Sequence, residues 1–172
     1  AERGVRMINN IEGLTDSTTL KELAKYKNMH YLAMNSGSSA HNLHKKTESV
    51  ETSLRSTAAT FSRFQATLEN AGFSKKNIWL DPGIGFNKTD QANIKLMLET
   101  SKFAEAHQVA IGVSRKSWLG RCFDIPIPSN RDNLSQLAEL FISQLGARVI
   151  RTHNVKKLVE LRLAIGAQKL HD

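Results

Sequence analysis

Residues 77–98, NIWLDPGIGFNKTDQANIKLML, carry the pattern on which the fold turns. Asn77–Leu80 is apolar, of strand length, and ends on Asp81. Pro82, Gly83 and Gly85 then favour a loop over either regular structure. Thr89 or Asp90 supplies a helix cap, after which Ile94, Met97, Leu98 and Phe103 form an apolar stripe. The stretch therefore reads as one strand–loop–helix unit, and the same alternation surrounds it.

Upstream, Val5–Ile11 predicts a strand, and Asp16 caps a helix to about Lys27 with Leu20, Leu23 and Ala24 on one face. Met29–Met34 predicts a second strand. Asn35–Lys46 is polar and turn-rich, and Thr47 opens a long helix to about Ala71, stopped by Gly72. Downstream, Val109–Val113 is a strand ending in Ser114-Arg115-Lys116. Pro126 and Pro128 mark a loop before a helix from about Arg131 to Leu145, which Gly146 stops. Arg148–Ile150 is a last short strand and Val155–Gln168 a last helix. Five βα units in alternation predict an α/β fold with a parallel sheet and helical crossovers. Five units alone permit an open sheet, whereas about three more upstream would complete a (β/α)8 TIM barrel. The opening AERGVR reads like a helix end and a glycine turn feeding a strand. The expectation is that residues 1–172 are one portion, the last five units, of a longer polypeptide.

Composition narrows the function classes only a little. Apolar residues are 40% and charged residues 23% of 172, a globular and not a disordered balance. No apolar run reaches the ~18 residues of a membrane span, and no secretory leader opens the sequence. The lone Cys122 rules out a disulfide framework and suits a reducing, cytoplasmic setting. A net charge of +8 fits a nucleic-acid binder, an enzyme for anions, or simply a basic surface. Aromatics are only 6% and do not interleave with basic residues, which argues against nucleic acid.

Position is more telling. The strands end in Asn9-Asn10, Asn35-Ser36, Asp81, Ser114-Arg115-Lys116, and Arg151 with His153. In parallel α/β folds this edge is where βα loops converge on ligands, although ordinary loops are polar too. Asp81 can accept from a flat array of donors, and Gly83 and Gly85 allow close backbone approach. Lys88-Thr89 invites a phosphate-loop reading, but Pro82 and Asn87 stand where that motif needs glycine. Lys116 can stabilise charge on a leaving group, and Arg151 with His153 before a helix N-terminus suits a phosphate. His41 and His44 lack acidic or cysteine partners for a metal, and Lys45-Lys46, Lys75-Lys76 and Lys156-Lys157 read as solvated faces.

Asp81-Pro82-Gly83-Ile84-Gly85-Phe86, Ser114-Arg115-Lys116-Ser117 and Arg151-Thr152-His153-Asn154-Val155, in that order, resemble the late motifs of the dihydropteroate synthase family. Ile8-Asn9-Asn10-Ile11 is similar to its fourth-strand motif. The resemblance runs over nearly the whole chain, and its specificity lies in the joint occurrence of the motifs. It implies a (β/α)8 barrel that joins 6-hydroxymethyl-7,8-dihydropterin pyrophosphate to p-aminobenzoate, releases pyrophosphate, requires Mg2+ and is inhibited by sulfonamides. It also implies a cytoplasmic homodimer. By resemblance, Asn9, Met34, Asp81, Gly112, Lys116 and Arg151 contact pterin, and Phe86, Lys116 and Ser117 contact p-aminobenzoate. Arg151 and His153 hold pyrophosphate, and Lys116, Asp81, Arg151 and His153 carry the catalysis. The sequence departs from the family at Asn10 and Asn154, where Asp is usual, and at Asn35, where His is frequent. The family's first three units, with their mobile loops, metal-binding asparagine and a further pterin-binding aspartate, have no counterpart here. The expectation is that the chain does not catalyse alone. Competing readings are a methyltetrahydrofolate-binding methyltransferase, a non-catalytic barrel fragment, and a basic nucleic-acid module.

Overall fold

Each apolar run becomes a strand whose residues alternate between two environments. The computed structural model describes residues 4–37 and 49–168. Its elements are β1 (Met7–Asn10), α1 (Ser17–Ala24), β2 (His30–Met34), α2 (Val50–Ala71), β3 (Ile78–Asp81), α3 (Asp90–Leu98), α4 (Thr100–Ala106), β4 (Ala110–Ile111), α5 (Ser117–Phe123), α6 (Asp132–Gln144), β5 (Val149–Ile150) and α7 (Val155–Gln168). All strand pairings are parallel: β1 with β2, β2 with β3, and β4 with β5. A bridge between Leu80 and Val109, with the Leu80 N–H donating to the Gln108 carbonyl at 2.9 Å, links the two groups. Parallel neighbours need long crossovers, and the helices supply them.

The alternation assigns the two faces. Ile8, Tyr31, Ala33, Ile78, Leu80, Val109, Ile111, Val113 and Ile150 pack in one apolar cluster with residues of the helices. Among these are Leu20 of α1, Phe61 and Leu68 of α2, Leu96 of α3 and Ile142 of α6. Successive side chains on a strand point to opposite faces. Asn9, Met34, Asp81, Gly112 and Arg151 therefore share the other face, and the register agrees, with Met34 opposite Asp81. Each fully buried Leu, Ile or Phe contributes roughly 1.5–3 kcal/mol. A one-residue slip would exchange the faces and lose several such terms together, so the register is well specified.

Local chemistry sets the element ends. Asp16, Ser49 and Thr89 accept from Thr19, Thr52 and Ala92 N–H groups and cap α1, α2 and α3. The helix expected from Thr47 begins at Val50; Thr47, like His41, His44, Lys45 and Lys46, lies outside the described residues. Gly72, at φ +107°, closes α2, with Phe73 N–H reaching back to the Leu68 carbonyl at 3.0 Å. One expectation fails. The stripe from Ile94 to Phe103 is two helices, because the Thr100 hydroxyl takes the Met97 carbonyl at 2.8 Å and Glu99 turns back between Lys95 and Lys102. Residues 117–123 are helical although Gly120 weighs against a helix. Glycine is needed there because a Cβ would sit 2.5 Å from Arg131 Nε.

Candidate functional site

The loop from Asp81 to Thr89 is folded by its own side chains. Asp81 is 1% exposed at the end of β3 and accepts the Gly83 N–H at 2.7 Å. Gly83 has φ +67°, and a Cβ there would lie 1.9 Å from the Asn35 carbonyl oxygen, so only glycine fits. The Gly85 N–H donates to Asn93 at 2.7 Å, and Asn87 Nδ2 donates to the Ser36 carbonyl at 3.1 Å. Lys88 is buried, and its ammonium donates to the carbonyls of Asn35, Gly83 and Phe86, each at 3.2 Å. One cation thus ties the end of β2 to the loop after β3.

That loop presents Phe86 to Lys116, whose Nζ stands 4.1 Å from the ring centroid, a cation–π contact. Gly85 admits the lysine stem: a Cβ there would be 3.0 Å from Lys116 Cδ. Burial pulls the Lys116 ammonium below its ordinary range, with Asp81 opposing and Arg151 adding to the fall. Burial pushes the Asp81 carboxyl up, against the pull of Arg151, the Gly83 N–H and Lys116. Arg151 Nη2 donates to Asp81 at 2.5 Å. Its guanidinium lies over Gly112, where a Cβ would stand 3.1 Å from Nη2, and its buried Nε has no hydrogen-bond partner among the described residues. An ionised carboxylate has about four acceptor positions. The Gly83 and Arg151 donors occupy two, which leaves two for a donor-rich ligand.

The structure thus gathers Asp81, Phe86, Gly112, Lys116 and Arg151. Met34 is buried at the end of β2, and Asn9 is exposed on the same sheet face. Ser117 is exposed at the start of α5, and His153 is exposed with its backbone N–H on Ser114 Oγ at 3.2 Å. Among the described residues no hydrogen bond or ion pair joins Ser117 or His153 to the Asp81 group. Asn10 turns to the helix side and donates to the Tyr31 hydroxyl at 3.0 Å. Arg115 forms a two-pronged pair with Asp132, at 2.6 and 3.0 Å, and is structural. Among the described residues no three His, Cys, Asp or Glu side chains gather to hold a metal, and no helix is long and apolar enough to cross a membrane.

The family model described as "Pterin binding enzyme" matches residues 1–153. The chain belongs to the pterin binding enzyme family. The dihydropteroate synthase of Staphylococcus epidermidis (strain ATCC 35984) is 32% identical to this chain over 164 residues, 94% of the chain and 56% of the relative. The solved dihydropteroate synthase of Stenotrophomonas maltophilia, with imidazole in its active site, is similar at TM-score 0.90 and 28% identity, over 99% of this chain and 64% of that one. That of Coxiella burnetii, in complex with pteroic acid, is similar at TM-score 0.83 and 28% identity, over 98% and 62%. The chain matches between about a third and a little over half of the length of its curated relatives.

Two buried polar residues are not legible as such in the sequence. Lys88 was legible only as a failed phosphate-loop lysine, and its cradle of carbonyls comes from residues as far away as Asn35. Glu139 is wholly buried on α6. Its signal is faint: a glutamate three residues before Ile142, on the inward stripe of the helix.

Proposed function

We propose that the chain is the later portion, residues 1–172, of a dihydropteroate synthase, a (β/α)8 barrel enzyme of folate biosynthesis. The observation that carries this is the shared face on which Asp81 meets Arg151 and Lys116 meets Phe86. Asp81 and Asn9 take the hydrogen-bonding edge of a dihydropterin, with Met34 and Gly112 as the walls of its slot. Arg151 covers the ring and, with His153, holds the pyrophosphate. Phe86, Lys116 and Ser117 receive p-aminobenzoate. In the reaction the bond between the pterin methylene carbon and the pyrophosphate oxygen breaks, and the leaving group keeps the electron pair. The aniline nitrogen bonds to that carbon and loses a proton. Cations near the departing oxygen stabilise its growing charge, which makes Arg151, His153 and Lys116 the groups on which the rate depends.

The open edges support a larger barrel. Among the described residues β1 pairs only with β2, and the flanking Val5 and Ile11 are about half exposed. Catalysis by this chain accordingly needs further βα units. The Mg2+ that the resemblance implies finds no ligand set among the described residues, so those residues do not fit a resident ion and no step runs through it. A homodimer is supported by Leu137 and Phe141 of α6 with Val155, Val159 and Leu163 of α7, all apolar and exposed on adjoining helices. Sulfonamides, as p-aminobenzoate mimics, belong in the Phe86–Lys116 subsite, and a cytoplasmic location suits the free Cys122.

The test is p-aminobenzoate-dependent pyrophosphate release from the pterin pyrophosphate with Mg2+, alongside calorimetric binding of the pterin. The expected result is pterin binding that Lys116→Ala weakens at least tenfold, with no turnover by the 172-residue chain alone. Absence of pterin binding by the folded chain would overturn the assignment. Full turnover by the chain alone would overturn the need for further units.

A further inference from the structure

Glu139 is a buried acid that the pterin site as described does not use. Helix α6 turns Ser135, Gln136, Glu139 and Ile142 inward. Glu139 is 0% exposed, and among the described residues neither carboxylate oxygen has a hydrogen-bond partner. The neighbours that pull on its proton are the hydroxyls of Ser114, after β4, and Thr152, after β5. Both hydroxyls already act as acceptors. Ser114 Oγ accepts the His153 N–H at 3.2 Å, and Thr152 Oγ1 accepts the Asn154 N–H at 3.2 Å. A hydroxyl that accepts still has one hydrogen to donate. The wholly buried carboxylate beside them is the group that lacks donors. Two amide-to-hydroxyl hydrogen bonds, from two different loops, thus end on the hydroxyls that neighbour the unpartnered Glu139 carboxylate.

We propose that Glu139 is a positioning residue that acts through the Ser114 and Thr152 hydroxyls to set the backbone of residues 151–154 and, with it, Arg151 and His153. The functional consequence rests on the reading of those two residues as the holders of pyrophosphate. Glu139 itself touches no substrate. The ionised carboxylate draws both hydroxyl hydrogens toward itself and leaves hydroxyl lone pairs for the two amides. A neutral carboxyl or an amide puts a donor of its own into the cluster, which competes with the His153 and Asn154 N–H groups for the hydroxyl oxygens. Burial pushes the Glu139 carboxyl up to about 6, with Thr152 and Ser114 opposing and Asp132 adding to the rise. The ionisable groups on the elements around it are Asp132 of the same helix, tied to Arg115 of the β4 loop, His153 after β5, and Lys157 of α7, which donates to Asn133.

The experiment follows the His153 and Asn154 amide resonances of the 15N-labelled chain from pH 4.5 to 8, in wild type, Glu139→Gln and Thr152→Val. Inorganic pyrophosphate binding is measured by calorimetry on the same samples. In wild type the Asn154 amide should move with a midpoint near 6. Glu139→Gln should abolish that movement, while any contribution of the His153 ring survives in the variant and is subtracted. Thr152→Val should abolish it at Asn154 and spare it at His153. Pyrophosphate affinity should fall about tenfold in Glu139→Gln at pH 7.5, with the gap closing toward pH 4.5, where the wild-type acid is itself neutral. An Asn154 amide whose movement survives Glu139→Gln would overturn the proposal, as would equal pyrophosphate affinities in the two proteins at every pH. Amide movements as expected, with no pyrophosphate bound by wild type, would uphold the link to Glu139 and overturn the reading of the anion site.

Discussion

Gly83→Ala should cost far more than Gly72→Ala, and the difference measures how closely β2 approaches the glycine loop. Both glycines have positive φ, +67° and +107°, so both variants incur the roughly 1–2 kcal/mol of an alanine in the left-handed region. At Gly72 the new Cβ meets only Ala24 Cβ, at an ordinary 3.4 Å. At Gly83 it would stand 1.9 Å from the Asn35 carbonyl oxygen, against a usual carbon–oxygen contact of about 3.3 Å. More than an ångström must be recovered by moving backbone. The bonds in the way are Gly83 N–H to Asp81 at 2.7 Å and the Lys88 ammonium to the Asn35 and Gly83 carbonyls at 3.2 Å. Hydrogen bonds to charged groups are worth about 1.5–3 kcal/mol each, so losing one brings the total, with the left-handed cost, to about 3–5 kcal/mol. Urea unfolding of both variants checks this. With a slope of roughly 2 kcal/mol per molar, the Gly83→Ala midpoint should lie about 1 M or more below that of Gly72→Ala. Midpoints within about 0.2 M of each other would refute the close approach, and with it the account of how Asp81 is held.

Three further outcomes are expected. Gly120→Ala should destabilise by about 1–3 kcal/mol although alanine in a helix ordinarily gains about 1, because the Arg131 guanidinium is locked on the Ile125, Arg115 and Pro126 carbonyls; in an Arg131→Met background the sign should reverse, as thermal melts of the four proteins would reveal. Lys116→Met should leave stability within about 1 kcal/mol, because it removes a partly desolvated cation along with its contact to Phe86, while weakening pterin binding at least tenfold by calorimetry. Glu139, raised from 4.5 to about 6 in the folded chain, keeps a proton that the unfolded chain releases between those values, so wild type should lose up to about 2 kcal/mol as pH rises through that window. Glu139→Gln cannot titrate, and urea titrations at pH 4 and 7 should find the stability difference swinging by that amount in favour of the variant.

What the sequence discloses is set by the range of the interaction. The strand ends at Asp81 and Arg151 follow from local apolar runs, and parity then puts both on one face, so their meeting across 70 residues is implied by the register. The cap at Thr89 and the stop at Gly72 are equally local. Helix α5 is missed because the reason for Gly120 lies with Arg131, beyond the two prolines. The break at Glu99 depends on a single hydroxyl turning back onto a carbonyl, and periodicity is blind to that. Lys88 is illegible for the same reason, since its carbonyl partners include Asn35, and Glu139 is nearly so, its place on the inward stripe three residues before Ile142 being the one local hint. Arg115 errs in the opposite sense, since a cation beside Lys116 looks like part of the site until Asp132 is found paired with it.

The Asp81 group has a charge logic that makes ligand binding and folding pull against each other. The carboxyl is pushed up by burial even with Arg151 on it and Lys116 near, so desolvation outweighs pairing in the ligand-free protein. Lys116, displaced downward by the same burial, has an aromatic face as its close partner instead of a carboxylate. A charge held this way is poorly compensated, and the folded chain carries that cost because the sheet core on the opposite face is large. A ligand that offers N–H donors to the two open positions of Asp81, and negative charge to Arg151 and Lys116, removes the deficit at every point at once. The site therefore favours a ligand that is donor-rich at one end and anionic at the other. A pterin pyrophosphate has that polarity, whereas a simple anion would satisfy the cations and leave the buried carboxylate short of donors.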